Sequence, residues 1–171
     1  MAEETRLLID SSVLLEFLLN QERADEVARF FQGTPRAALY VTDFAFHSVA
    51  LILVSRKRGE ALARFVKDLL GVRRVTVLRL TPDEVVSLVS RTEELGLDFD
   101  DVYQYVAAEK DDLTLVSLDG DFDRTDRGRK TPAEVLGEPP VVRDRPPTKP
   151  ARRKSRRRQA SGQRRSRNPQ T

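Results

Sequence analysis

An α/β fold with a central parallel sheet covered by helices on both faces is predicted from three observations. Short apolar runs recur along the chain as candidate strands. Helical stretches of ten or more residues separate them, the spacing that parallel strands with crossover helices require. Acidic residues stand just after two of the runs, where the carboxyl ends of parallel strands gather functional groups.

Arg6 to Ile9 is short and apolar and reads as the first strand. Val13, Leu14, Phe17 and Leu18 then repeat at spacings of three and four, which marks one buried face of a helix. A second amphipathic helix covers Arg23 to Phe31 and stops at Gly33-Thr34-Pro35. Ala38 to Val41 is the second strand. Thr42 caps a long apolar helix from Asp43 to Arg58, and Gly59 ends it. Glu60 to Leu70 is a further helix, followed by a third strand over 72–80.

Thr81-Pro82-Asp83-Glu84 is a helix start with each part in place. Thr81 caps, Pro82 fits the first turn, and Glu84 stands at the capping-box position. That helix runs to Gly96. Asp98 to Asp111 forms the next, and Thr114 to Leu118 the fourth strand. Thr131 to Leu136 is a short closing helix. Residues 1–138 are therefore assigned to one domain, and 139–171 to a proline-rich linker and a tail.

Charge divides the chain in the same place. Residues 143–171 carry 12 Lys or Arg against the single acid Asp144, leaving 18 basic and 26 acidic residues before them. An acidic domain precedes a basic tail that lacks large apolar residues and is expected to be disordered. Within the tail, Arg152, Arg153, Lys154, Arg156, Arg157 and Arg158 suit phosphate neutralisation on RNA. A merely solubilising extension is the other reading.

Cysteine is absent and His47 is the only histidine. Disulfides, thiolate metal sites, a multi-histidine zinc site and a two-histidine iron site are excluded within one chain. Met1 to Thr5 offers no basic region before an apolar run, and no apolar stretch reaches the roughly 18 residues of a membrane span. A cytoplasmic protein without a membrane segment is expected.

Four acids point to chemistry. Asp10 follows Leu7-Leu8-Ile9, Asp119 and Asp121 follow Leu115-Val116-Ser117-Leu118, and Asp101 stands in the first turn of a helix. Carboxylates gathered at strand ends repel one another unless a cation neutralises them, which implies Mg²⁺ or Mn²⁺. Such an ion polarises a phosphoryl oxygen and lowers the pKa of water. Ser11 or Ser12 could orient a carboxylate or a substrate phosphate. Asp98 and Asp100 read as caps or solvated residues, and His47, four residues after Asp43, as structural. Ala50, Leu51, Leu53 and Val54 form a stripe for the core or for a dimer interface.

Leu7-Leu8-Ile9-Asp10-Ser11-Ser12, Leu97-Asp98-Phe99-Asp100-Asp101-Val102-Tyr103-Gln104-Tyr105 and Leu115-Val116-Ser117-Leu118-Asp119-Gly120-Asp121-Phe122 together resemble the PIN-domain family, including its VapC-type toxins. The resemblance covers Arg6 to Leu136 in motif order and spacing. It implies a PIN-like three-layer α/β/α fold and a Mg²⁺- or Mn²⁺-dependent ribonuclease. It also implies RNA as substrate, a cognate antitoxin as partner, and a homodimer. By the same resemblance Asp10, Asp101 and Asp119 are the catalytic, metal-binding acids, and Asp121 a further acid of the metal site.

One position departs from the family pattern. The glutamate usual in the helix after the second strand falls on Ser48, which supplies no charge. Asp43 lies five residues away, about 140° around the helix, so it is not a simple replacement. A catalytically weak RNA- or protein-binding module is therefore the alternative. Two other phosphate-handling folds fit less well. A haloacid-dehalogenase-like phosphatase needs Asp-x-Asp after the first strand, where this chain has Asp10-Ser11-Ser12. A response-regulator receiver places its acidic pair early, whereas Asp100-Asp101 comes late.

Overall fold

The computed structural model describes residues 5–70 and 75–139. Four strands, β1 (Leu7–Ile9), β2 (Leu39–Thr42), β3 (Thr76–Leu78) and β4 (Thr114–Val116), form a parallel sheet in the order β3-β2-β1-β4. Seven helices accompany them among the described residues: α1 (Ser11–Leu18), α2 (Ala24–Gly33), α3 (Asp43–Ser55), α4 (Gly59–Leu70), α5 (Pro82–Leu95), α6 (Phe99–Lys110) and α7 (Pro132–Leu136).

Pleat alternation divides the interior in two. Leu7, Ile9, Leu39, Val41 and Val116 face α1 to α4, where Val13, Val27, Phe30, Val49, Leu53 and Phe65 are buried. On the other face, Leu8 and Leu115 meet Leu88 of α5 and Val102, Tyr105 and Ala108 of α6. Successive side chains of a strand point to opposite faces, so a sheet covered on both sides is apolar throughout. The result is the three-layer arrangement expected.

The central strand is β1. Its register places Leu8 beside Tyr40 and Leu115, and Ile9 beside Val116. Asp10, one residue on, is thereby fixed at the middle of the sheet's carboxyl edge. The helices begin where the sequence signals placed them. Thr42 caps α3 by accepting from the Ala45 N–H. Thr81 and Glu84 complete a capping box at α5, as Thr131 and Glu134 do at α7. Gly96 ends α5 in the left-handed region at φ 64°.

Some boundaries differ from the sequence reading. The third strand is confined to Thr76–Leu78, with 71–74 outside the described residues. It is an edge strand, paired to β2 among the described residues, so alternation continues in the sequence beyond the pairing. The third helix stops at Ser55, three residues before the predicted Arg58. In the apolar stripe, Leu53 belongs to the core whereas Leu51 and Val54 are exposed. The tail residues Arg152, Arg153, Lys154, Arg156, Arg157 and Arg158 lie outside the described residues.

A buried acid ties the closing helix to the body. Glu26 on α2 accepts from the Arg23 guanidinium at 2.6 Å and from the Ala133 N–H of α7 at 3.2 Å. Breaking a buried, charge-assisted bond of this kind costs about 2–3 kcal/mol. Glu26→Ala is expected to lower the urea midpoint accordingly and to speed amide hydrogen exchange over 132–136. Unchanged exchange there would mean that α7 is held by Val135 and Leu136 alone.

Candidate metal centre

Each acid of the centre is delivered by a different local device. Asp10 leaves β1 and caps α1, its carboxylate accepting from the backbone N–H groups of Ser11 at 2.7 Å and Ser12 at 3.3 Å. The Ser12 hydroxyl donates to the same carboxylate at 2.6 Å, and the Ser117 hydroxyl at 2.8 Å. Ser11 adds a longer contact of 3.3 Å through its own hydroxyl. A carboxylate has about four lone-pair directions, so the protein itself nearly saturates Asp10.

Asp119 follows β4 and opens a short 3-10 turn over Gly120–Arg124, accepting from the Asp121 N–H at 2.9 Å. That turn brings Asp121 back beside Asp119. Asp101 stands in the first turn of α6, where the helix dipole favours a negative charge. Asp101, Asp119 and Asp121 each offer a carboxylate oxygen, all within 4.8 Å of one another. Asp10 is not part of this cluster.

Asp10 nevertheless acts on it. The Asp101 carboxyl is pushed up from 3.8 to about 7, first by burial and then by the charges of Asp100, Asp10, Asp119 and Asp121. Both causes penalise the ionised form, and a cation would offset both. Three clustered carboxylates form an all-oxygen donor set suited to a hard divalent ion such as Mg²⁺ or Mn²⁺. The residues present fit such an ion.

The other sequence candidates have different surroundings. Asp43 is held by its own α3 backbone, accepting from Phe44 N–H, and by the Tyr103 hydroxyl at 2.8 Å, which ties α3 to α6. It lies outside the acidic cluster. Ser48 is half-buried on α3 and makes no side-chain hydrogen bond among the described residues. His47 is exposed and bonded to the Asp43 carbonyl. Asp98 occupies the cap position of α6, although its side chain makes no capping bond.

Two polar residues of the site were not singled out in the sequence. Ser117 is fully buried at the end of β4 and links Asp10 to the backbone N–H of Asp119. Alternation carries its signal: Leu115 faces α6, so Ser117, two residues on, faces the same way. Gln104 is buried on α6 one turn past Asp101, with Thr42 donating to its carbonyl oxygen at 3.1 Å. A glutamine within the buried run Val102 to Tyr105 is the cue.

Fold and site together define an α/β domain with a carboxylate centre at the carboxyl edge of a parallel sheet. The PIN domain family model matches residues 7–128, and the chain belongs to that family. Among solved structures, it is similar to the VapC20 toxin of Mycobacterium tuberculosis, described as cleaving the Sarcin-Ricin loop. That match has 17% identity and a TM-score of 0.58, and covers 68% of this chain and 92% of that one. PAE2754 of Pyrobaculum aerophilum gives 19% identity and a TM-score of 0.57, with 80% and 96% covered. A toxin–antitoxin complex from Klebsiella pneumoniae gives 17% and 0.57, with 74% and 97% covered. At these identities the likeness is one of fold. No curated protein matches the chain.

The raised Asp101 carboxyl has a consequence for stability. With a folded-state pKa above the unfolded one, the native chain holds the extra proton between pH 4 and 7. This group's contribution therefore falls as pH rises through that window. Metal-free protein is expected to lose thermal stability from pH 5 to pH 8, and Mn²⁺ to restore it at pH 8. Asp101→Asn should flatten the metal-free profile and abolish the Mn²⁺ effect. An Asn variant still stabilised by Mn²⁺ would remove Asp101 from the centre.

Proposed function

We propose that the chain is a metal-dependent endoribonuclease, and that it acts as the toxin of a toxin–antitoxin pair in the cytoplasm. The observation that carries the reading is the convergence of Asp101, Asp119 and Asp121 within 4.8 Å, in a chain of the PIN family. The resemblance in fold to a Sarcin-Ricin loop cleaving toxin and to a toxin–antitoxin complex supports a cognate antitoxin as partner. A homodimer is part of the same proposal, with the exposed Leu51 and Val54 of α3 as candidate contacts.

Asp101, Asp119 and Asp121 would hold Mg²⁺ or Mn²⁺, and the ion would polarise the phosphoryl oxygen and make water a nucleophile near neutral pH. Asp10, a metal ligand by the family resemblance, would stand beside them at the end of β1, close enough for its charge to act on Asp101. Saturated by Ser11, Ser12 and Ser117, it fixes the geometry of the strand ends and adds negative charge that favours the cation. Asp119 is set by Ser117 and by its own turn. The basic tail would add affinity for the phosphate backbone without reading sequence.

A second reading is favoured by Ser48. With no carboxylate at that position of α3, a binding module with a weak or inactive centre remains the competing account. Incubation of the full chain with mixed RNA and Mn²⁺ or Mg²⁺ decides between them. Cleavage that disappears with EDTA and in Asp101→Ala is the expected result. Intact RNA under both metals, with retained RNA binding, would favour the binding module.

The tail makes a separate prediction. Replacing Arg152, Arg153, Lys154, Arg156, Arg157 and Arg158 by Gln should flatten the salt dependence of RNA binding. Every phosphate that the tail ceases to neutralise takes about 0.7 from the slope of log K against log salt. An unchanged slope, measured by fluorescence anisotropy across a salt series, would exclude the tail from binding.

A further inference from the structure

The acidic centre leaves one polar side chain of its surroundings without an explained role. Gln104 is only 2% exposed, and its single side-chain hydrogen bond is the one its carbonyl oxygen accepts from the Thr42 hydroxyl at 3.1 Å. That hydroxyl also accepts from the Ala45 N–H, so its one proton is directed at Gln104. The carbonyl end of the amide is thereby assigned, and the amide nitrogen is turned away from Thr42. This nitrogen has no hydrogen-bond partner among the described residues, on a side chain that is almost wholly buried. An unpaired donor on a nearly buried residue calls for an oxygen to receive it.

Placement indicates where that oxygen is. Gln104 is three residues beyond Asp101, so the two share one face of α6, about 4.5 Å apart along the axis. Opposite them, the carboxyl ends of three strands present polar residues to the same layer. Tyr40, Leu8 and Leu115 pack on the α6 side of the sheet, and alternation brings Thr42, Asp10 and Ser117 to that side two residues later. Ser117 is tied to Asp10, and Thr42 to Gln104. Asp101 and Gln104 thus face a row of strand ends in which Asp10 is central.

We propose that Gln104 is a positioning residue of the metal centre, its amide nitrogen donating to an oxygen held between α6 and the strand ends. The receiving oxygen is that of water gathered there, which links the amide to the carboxylates of the centre. A neutral amide can serve this place without adding to the like-charge repulsion already acting on Asp101. The inference rests on the metal reading of the acidic cluster and extends it to a side chain that supplies no charge.

Gln104→Glu and Gln104→Met test it, with Mn²⁺ alone as the probe, titrated calorimetrically into the full-length protein at pH 8. Glutamate keeps an oxygen for the Thr42 hydroxyl, so a purely structural role survives that change. A carboxylate beside the cation should instead tighten Mn²⁺ binding about tenfold or more and steepen its pH dependence. Methionine keeps the volume and removes the donor, and should weaken binding by about tenfold. Mn²⁺ affinity in Gln104→Glu equal to or weaker than wild type overturns the assignment, including where Gln104→Met fails to fold. A wild-type chain that takes up no Mn²⁺ removes the metal reading itself, and this assignment with it.

Discussion

The carboxylate of Asp10 joins the central strand, its neighbour and the first helix in one set of hydrogen bonds. Ser11 and Ser12 donate from α1, and Ser117 donates from the end of β4. The Ser12 hydroxyl also accepts from the Leu118 N–H, and the Ser117 hydroxyl from the Asp119 N–H. The path of the chain after β4 is thus set from the end of β1. A buried carboxylate is tolerable because it is saturated with donors. Asp119 and its turn are placed by the same bonds, so the centre inherits its geometry from a residue outside the acidic cluster.

A cost accompanies this arrangement. Asp101 meets burial and four neighbouring acids together, and its carboxyl titrates near 7 in place of 3.8. Groups perturbed in this way by desolvation and specific charges concentrate at functional sites. The domain's ion pairs are mainly at the surface, as between Arg29 and Glu138 or Lys110 and Glu84, where such pairs contribute little. Repulsion among the acids acts at the edge of the sheet, where a cation would relieve it.

Membership of the PIN family gives this geometry a frame. Asp43 accepts from the Tyr103 hydroxyl and is not among the three grouped acids. In this chain α3 contributes scaffold to the centre. Thr42 starts the helix and fixes Gln104, and Asp43 docks it on α6. The negative charge comes from α6, from the turn after β4 and from Asp10 at the end of β1.

The sequence by itself determined the fold class, the order of the elements and the family, and it marked Asp101, Asp119 and Asp121 as acids that could meet. Local rules sufficed there: apolar runs give strands, spacings of three and four give helix faces, and Thr81-Pro82-Asp83-Glu84 or Thr131-Pro132-Ala133-Glu134 start helices wherever they occur. What it did not determine was which groups meet. The grouping of Asp121 with Asp101 and Asp119 follows from a single 3-10 turn, and three serines hold the Asp10 carboxylate. Ser117 and Gln104 looked like ordinary members of a strand and a helix. Only the register of β4 beside β1, and the docking of α6 over both, brought them to the edge of the centre. Contacts between residues some hundred positions apart depend on packing, which no local pattern encodes.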